Sequence, residues 1–586
     1  MKNFIKTVFA SAIGVLISIS FIIFVLLFSV ISAAVSSISS SEGAFEPKEN
    51  SVLKLNLNNE VVDYVKNDPF VELTKLVEES QGPIALRDII YSIDMAAKNE
   101  NIKGIYLTTD GYSGSYAISS EIRRKLESFK ETGKFVISYN NMYTQNQYYL
   151  GSVADSVYIN PYGTIAVAGL SQQSIFFKKT LEKLGVEMQI FKVGTFKSAV
   201  EPFILDSMSV ANEEQVLAYL GSTWSNVAGA IAKSRNLSMQ EINTIANDGI
   251  FLKSADEIAN TKLYDRTIYP TDIEPLVKQL TDSDKEVNLI SINDATKIED
   301  KKEETNDKIA IIYASGEITY EKSEGIYWKD FLEQIEEAKE DDDVKAVVLR
   351  INSPGGSAFA TEIMWKAIEE LKTKKPVVTS MSTYAASGGY YMSCNSDIIV
   401  AEPTTLTGSI GVFGMIPNAH NLLTDKLGLS FDDVKTNKFG TMSIDRALSP
   451  TESAIIQQNV ESTYELFLKR CAEGRKVPVE KIAKVAEGRV WTGETALTLG
   501  LVDKLGGLQE ATAEAARLAK ITDYNTEILP KEKDFFTELM ENMNQTEYIS
   551  LKNIFFAPEN TASQIIKSLN IDSPIQARMM NNITIE

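Results

Sequence analysis

The sequence predicts an α/β protein in which two tandem repeats, each a largely parallel sheet covered by helices, follow one N-terminal transmembrane helix. Three observations carry that expectation: an uncharged N-terminal run, a self-similarity at constant spacing, and short β-branched runs alternating with amphipathic helical patterns. A chain of 586 residues exceeds what one hydrophobic core organises, so several structural units are required.

The first element, residues 1–36, reads as a membrane anchor. Lys2 and Lys6 precede a run from Val8 to Val35 without a charged residue, long enough to cross a bilayer. Ser32, Ala33 and Ala34 offer small residues for a cleavable signal, but the apolar part of such signals spans only about 7 to 15 residues, so an uncleaved anchor is favoured. Lysines before the span and Glu42, Glu46 and Glu49 after it place the bulk of the chain outside the cytoplasm.

The repeats come next. A shift of 242 residues carries Ile102 to Leu107 (IKGIYL) onto Val344 to Leu349 (VKAVVL), Tyr148 and Tyr149 onto Tyr390 and Tyr391, and Asp155 onto Asp397. The same shift carries Pro161 onto Pro403, and Ile93 and Ala96 onto Ile335 and Ala338. Duplication is the simplest account. The first repeat is read as 50–296 and the second as 308–520, joined by the charged linker 297–307 (KIEDKKEETND). In the second repeat, apolar strands are expected at Ile309 to Tyr313, Ala346 to Ile351 and Pro376 to Ser380. Helices are expected at Phe331 to Lys339 and Thr361 to Lys372. Strands this uniformly apolar suit a parallel sheet covered on both faces. The tail 521–586 has weaker patterning and receives no role.

Composition narrows the chemistry. Acidic residues number 79 and basic ones 58, a net charge of −21, which argues against nucleic acid as a partner. Cys394 and Cys471 show no framework or metal spacing and read as buried thiols. His420 is the only histidine, which argues against a His-based metal site and leaves a carboxylate cation site open. No pattern calls for a cofactor.

Two segments of the second repeat could carry chemistry. Arg350 to Ser357 (RINSPGGS) follows an apolar strand, and its paired glycines allow backbone N–H groups to approach a developing oxyanion; a plain strand-to-helix turn would look the same. In Tyr384 to Tyr390 (YAASGGY), Ser387 stands at the start of a helical stretch, where a serine either caps the helix or serves as a nucleophile. Ala385, Ala386, Gly388 and Gly389 clear space that a cap does not need. His420 has no acid near it in sequence and reads as a surface or packing residue. Lysine is the remaining base, if desolvation lowers its pKa. Lys197 is the one in an apolar setting, Val193 to Phe203 (VGTFKSAVEPF), and by itself reads as a half-buried structural lysine or as that base.

The motifs FKSAVEPF at 196–203, NSPGG at 352–356, YAASGGY at 384–390 and TGSIG at 407–411 together resemble the signal peptide peptidase A family. The resemblance is to its long, duplicated form in peptidase family S49, a branch of the Clp protease and crotonase superfamily, and covers about residues 50 to 520. It implies a serine endopeptidase with Ser387 as nucleophile and Lys197 as general base. It further implies that Ser409 orients the lysine and that the N–H groups of Gly356 and Gly388 form the oxyanion hole. By the same resemblance the protein is a homotetrameric dome on the outer face of the bacterial cytoplasmic membrane, held in lipid by its N-terminal helix. Its substrates would be signal peptides left in the membrane.

The repeat supplies a separate check. At the 242 shift Ser387 meets Gln145, and Gly355 and Gly356 meet Ser113 and Gly114; aligning Phe196 with Phe439 sets Lys197 against Gly440. Each copy lacks what the other keeps, which requires the two halves to face each other across one site. The competing expectations are a crotonase-like acyl-thioester enzyme and a catalytically silent membrane scaffold, neither of which depends on Ser387.

Overall fold

A computed structural model describes Gly14, Ser18 and residues 44–65, 82–281, 287–300, 305–531 and 575–578. Apart from Gly14 and Ser18, the run from Val8 to Val35 lies outside the described residues; among those residues no helix is long and apolar enough to cross a membrane.

Two sheets carry the two repeats. The first has six strands in the order Arg266–Thr267, Ser156–Ile159, Phe135–Asn140, Ile102–Thr108, Ser51–Asn56 and Asn288–Ile290, every pair parallel. The second runs Val490–Thr492, Leu406–Gly408, Val377–Ala386, Val344–Ser353, Lys308–Ser315 and Asn525–Leu529. Its branch, Ile398–Ala401 with Lys504–Leu505, pairs beside Val377–Ala386, and only Val490–Thr492 is antiparallel to its neighbour. Central strands buried on both faces explain the unbroken apolar runs Ile309 to Ile312 and Ala346 to Leu349.

The duplication is written in side-chain locks as well as in sequence. Asp155 accepts from the Val136 N–H at 2.8 Å, and Asp397 accepts from the Val377 N–H at 2.9 Å. Tyr148 donates to the Leu263 carbonyl at 2.7 Å and Tyr390 to the Leu501 carbonyl at 3.0 Å. Long helices Val210–Arg235 and Pro450–Arg475 begin on the serine caps Ser209 and Ser449 and end in the left-handed residues Asn236 and Lys476.

Several elements add to the sequence expectations. The strand expected at Pro376 to Ser380 continues to Ala386, because Val344–Ser353 on one side and Leu406–Gly408 on the other keep supplying ladder partners up to Ala385 and Ala386. The segment 297–307 is pinned at its described ends: the Phe45 N–H donates to Lys297, Tyr91 donates to Ile298 at 2.9 Å, and the Asn525 N–H donates to Asp307. The weakly patterned tail supplies two strands, Asn525–Leu529 and Ile575–Arg578.

A third sheet joins the repeats. Its order is Ile326–Tyr327, Ile318–Thr319, Gly355–Ser357, Ile575–Arg578, Phe413–Asn418 and Glu187–Lys192, so a strand of the first repeat pairs antiparallel with one of the second. A buried charge cluster reinforces the junction. Arg350 donates to Asp63 at 2.8 Å, to Glu121 at 2.5 Å and to Ser380 at 2.8 Å, while Asn352 and Ser382 also donate to Asp63. Alongside, Arg124 binds Glu402 at 2.6 Å and Glu510 at 3.0 Å. Paired and hydrogen-bonded charges of this kind fix one docking geometry, since any other leaves ions unpaired in the interior.

Candidate active site

Ser387 sits where the strand Val377–Ala386 ends and the short helix Gly388–Ser393 begins, at φ 55 and ψ −113, a conformation that residues with a Cβ avoid. The strain is held in place from both sides: the Ser387 N–H donates to the Gly408 carbonyl and the Tyr391 N–H donates to the Ser387 carbonyl, each at 2.8 Å. Its hydroxyl makes no capping bond to the helix, so the capping alternative open in the sequence does not describe this serine. Small neighbours are required: a Cβ on Gly389 would lie 2.7 Å from the Ser353 carbonyl oxygen.

Lys197 arrives from the first repeat on the loop that follows the strand Glu187–Lys192. Its Nζ lies 2.9 Å from Ser387 Oγ, 3.1 Å from Ser409 Oγ and 3.2 Å from the Ser409 carbonyl oxygen. Lys197 and Ser387 are only 1% and 0% exposed, so the amine has left water for three neutral oxygens. That burial pulls its pKa from 10.5 down to about 7. The nearby acid in its sequence, Glu201, is turned away: it accepts from the Ser209 N–H at 3.2 Å and from Asn212 at 3.0 Å. Among the described residues, no carboxylate hydrogen-bonds the amine.

Ser409 follows Gly408 on the strand Leu406–Gly408 and has φ 49, and its N–H donates to the Arg489 carbonyl at 2.7 Å. Gly388 is the first residue of the helix after Ser387. Gly356 lies in a strand next to Ile318, and a Cβ there would come within 2.1 Å of the Ile318 carbonyl oxygen, which restricts the position to glycine. The structure therefore gathers Lys197, Ser387 and Ser409 at one point, with Gly388 adjoining. His420 stands apart: it is exposed and its Nδ1 lies 2.7 Å from the Asp445 carbonyl oxygen. Cys394 and Cys471 are buried and unbridged.

Beside the site runs a groove with strand-pairing edges. Ile575–Arg578 occupies it, antiparallel to Gly355–Ser357 on one side and to Phe413–Gly414 on the other. A separate cleft walled by Phe176, Phe196, Pro202 and Tyr219 ends on Lys197 and Ser409. Sequence reading singled out neither the tail strand nor Gln215, Gly488 and Arg489, which hold the lysine loop. Gln215 belongs to a long helix without a motif, and nothing local marks it.

Known proteins similar to this chain are named as proteases. The family model described as peptidase family S49 matches twice, at residues 128–282 and 369–522, once in each repeat. "Protease 4" of Salmonella typhi is 37% identical over 470 residues, covering 78% of this chain and 76% of that protein. "Protease 4" of Haemophilus influenzae is 34% identical, covering 92% of this chain and 88% of that protein. "Serine protease SPPA, chloroplastic" of Arabidopsis thaliana is 29% identical, covering 91% and 78%. Matched in both repeats and over most of the length of these proteases, the chain belongs to peptidase family S49.

Proposed function

We propose that the protein is a membrane-anchored serine endopeptidase that degrades signal peptides left in the bacterial cytoplasmic membrane, working as a homotetramer on its outer face. The observation that carries the chemistry is the 2.9 Å approach of Lys197 Nζ to Ser387 Oγ at a buried site where the amine titrates near 7. A neutral amine at that distance accepts the hydroxyl proton as Oγ attacks the peptide carbonyl. The resulting ammonium returns the proton to the leaving amine as the C–N bond breaks, leaving an acyl group on Ser387. Water then attacks the acyl carbonyl and gives its proton to Lys197, which passes it to Ser387 Oγ as the acyl–oxygen bond breaks, freeing the acid and restoring the serine and the neutral amine. Ser409 keeps the amine aimed through its hydroxyl and carbonyl. The N–H groups of Gly356 and Gly388 stabilise the oxyanion of each tetrahedral intermediate.

Support for an extended peptide substrate comes from the groove, whose two edges already pair with a strand of the chain itself. The aromatic walls of the adjoining cleft favour apolar side chains, which abound in signal peptides. The test is hydrolysis of a short apolar, signal-like peptide by the detergent-solubilised full chain, comparing wild type with Ser387→Ala and Lys197→Met at matched folding. Both variants should lose hydrolysis, and the double variant should lose no more, because the groups act as a unit. Near-wild-type activity in either single variant would overturn the dyad and favour a silent scaffold or a different base.

A further inference from the structure

The lysine and its serine neighbours belong to different repeats, so something must set their separation. Residues Glu487 to Val490 form a strap whose backbone bonds to the two sides in turn. The Glu487 carbonyl accepts from the Phe196 N–H at 2.9 Å, next to Lys197. The Gly488 N–H donates to the Ile410 carbonyl at 2.8 Å, and the Arg489 carbonyl accepts from the Ser409 N–H at 2.7 Å, on the side of Ser409. Gln215, 2% exposed, closes the loop: it accepts from the Val490 N–H at 3.2 Å and donates to the Phe196 carbonyl at 3.1 Å and to Ser198 Oγ at 2.9 Å. It thus grips the residues immediately before and after Lys197.

Two further contacts tighten the arrangement. A Cβ on Gly488 would stand 2.7 Å from Lys197 N, Cα and Cβ, so the strap presses on the lysine backbone itself. The Arg489 guanidinium lies 4.5 Å from the ring centres of both Phe196 and Trp491 and is anchored to Glu214 at 2.9 Å.

We propose that Gln215 and the strap Glu487 to Val490 are positioning residues that set the reach of Lys197 to Ser387 and keep its surroundings dry. The inference rests on the lysine–serine reading of the site. Gln215, Gly488 and Val490 also line the cleft that ends on Lys197, but their hydrogen bonds run to the lysine loop and to the Ser409 side, and it is through the lysine that they act on the reaction. Loosening the strap lengthens the Nζ to Oγ contact and admits water to the amine. The first lowers the rate constant for the chemical step, and the second returns the lysine toward its ordinary basicity.

The experiment is steady-state hydrolysis of an apolar fluorogenic peptide by the solubilised full chain from pH 5.5 to 10, with folding checked by thermal unfolding. In Gln215→Met and Gly488→Ala, kcat should fall about 100-fold, the loss that misplacement by about an ångström brings, and far more than KM changes. The acid limb of the profile should move to higher pH. Gly500→Ala is the control: Gly500 has φ +77 against +78 for Gly488, but nothing lies within 4 Å of its added Cβ. It should suffer the same backbone strain and keep the wild-type kcat and limb. If Gln215→Met does not fold, Arg489→Leu carries the same test from a partly exposed side chain. Wild-type kcat and limb in the folded variants, with Lys197→Met inactive, would overturn the positioning role alone. Activity in Lys197→Met would overturn the dyad and this inference with it.

Discussion

Arg350 of the second repeat lies against Asp63 of the first, Nε to Oδ1 at 2.8 Å, with 0% and 2% of the two side chains exposed. Glu121 completes the cluster and has its pKa raised, chiefly by burial, despite the guanidinium beside it. The junction of the repeats therefore contains a cation that two carboxylates depend on.

Replacing that cation should be costly. Arg350→Met leaves Asp63 and Glu121 buried without a counter-charge and should lower unfolding stability by about 3–5 kcal/mol, read by chemical denaturation. Adding Asp63→Asn and Glu121→Gln should recover part of it. A loss within error of zero would mean that water reaches the cluster.

Activity should rise with pH through about 7. The proposed reaction requires neutral Lys197, which burial holds near that value, so acidification should protonate the base and remove catalysis. A profile of kcat/KM against pH checks this; a limb near the ordinary lysine value would show that the amine is hydrated in the working enzyme.

The same shift has the opposite consequence for stability. The folded chain holds Lys197 near 7 while the unfolded chain holds it near 10.5, so between those values the unfolded state binds the extra proton and stability rises with pH. Below about 7 the penalty is fully present, and above 10.5 it has gone. Lys197→Met should therefore stabilise the protein at neutral pH by on the order of a few kcal/mol, with the gain fading in alkali. Equal stability of the two proteins at pH 7 would contradict the buried cost.

Much of this site is legible in the sequence, and the reason is the duplication. Gln145 opposite Ser387 and Gly440 opposite Lys197 are complementary losses, readable without coordinates because the two copies act as each other's reference. The parallel sheets are legible from apolar runs such as Ala346 to Leu349, whose side chains are all buried, on both faces of the strand. Gln215 and Arg350 are not legible, because a polar side chain on a helix or strand looks alike whether it meets water or a buried partner. Nor is the strand Ile575–Arg578, whose pairing partners lie more than a hundred residues away and leave no local periodicity.

Occupancy of the groove by that strand should be visible in kinetics. Truncation after Lys531 removes the antiparallel partner of Gly355–Ser357 and should lower KM for an added peptide while leaving kcat unchanged. An identical KM in the truncated protein would show that the tail does not compete.

His420→Ala should be nearly silent in both hydrolysis and stability, because the ring is exposed and, among the described residues, hydrogen-bonds the Asp445 carbonyl alone. Loss of activity with folding intact would bring a histidine mechanism back.

Lys197 and Ser387 are 190 residues apart, each supplied by a different repeat. A ribosome therefore delivers the proposed base long before the nucleophile, and domains fold in the order in which they emerge. With the proposed dyad, neither half of the growing chain can cut its neighbours during synthesis, and hydrolytic power begins only when the second repeat docks on the first. Duplication followed by reciprocal loss thus acts as a timer, making completion of the polypeptide the event that arms it.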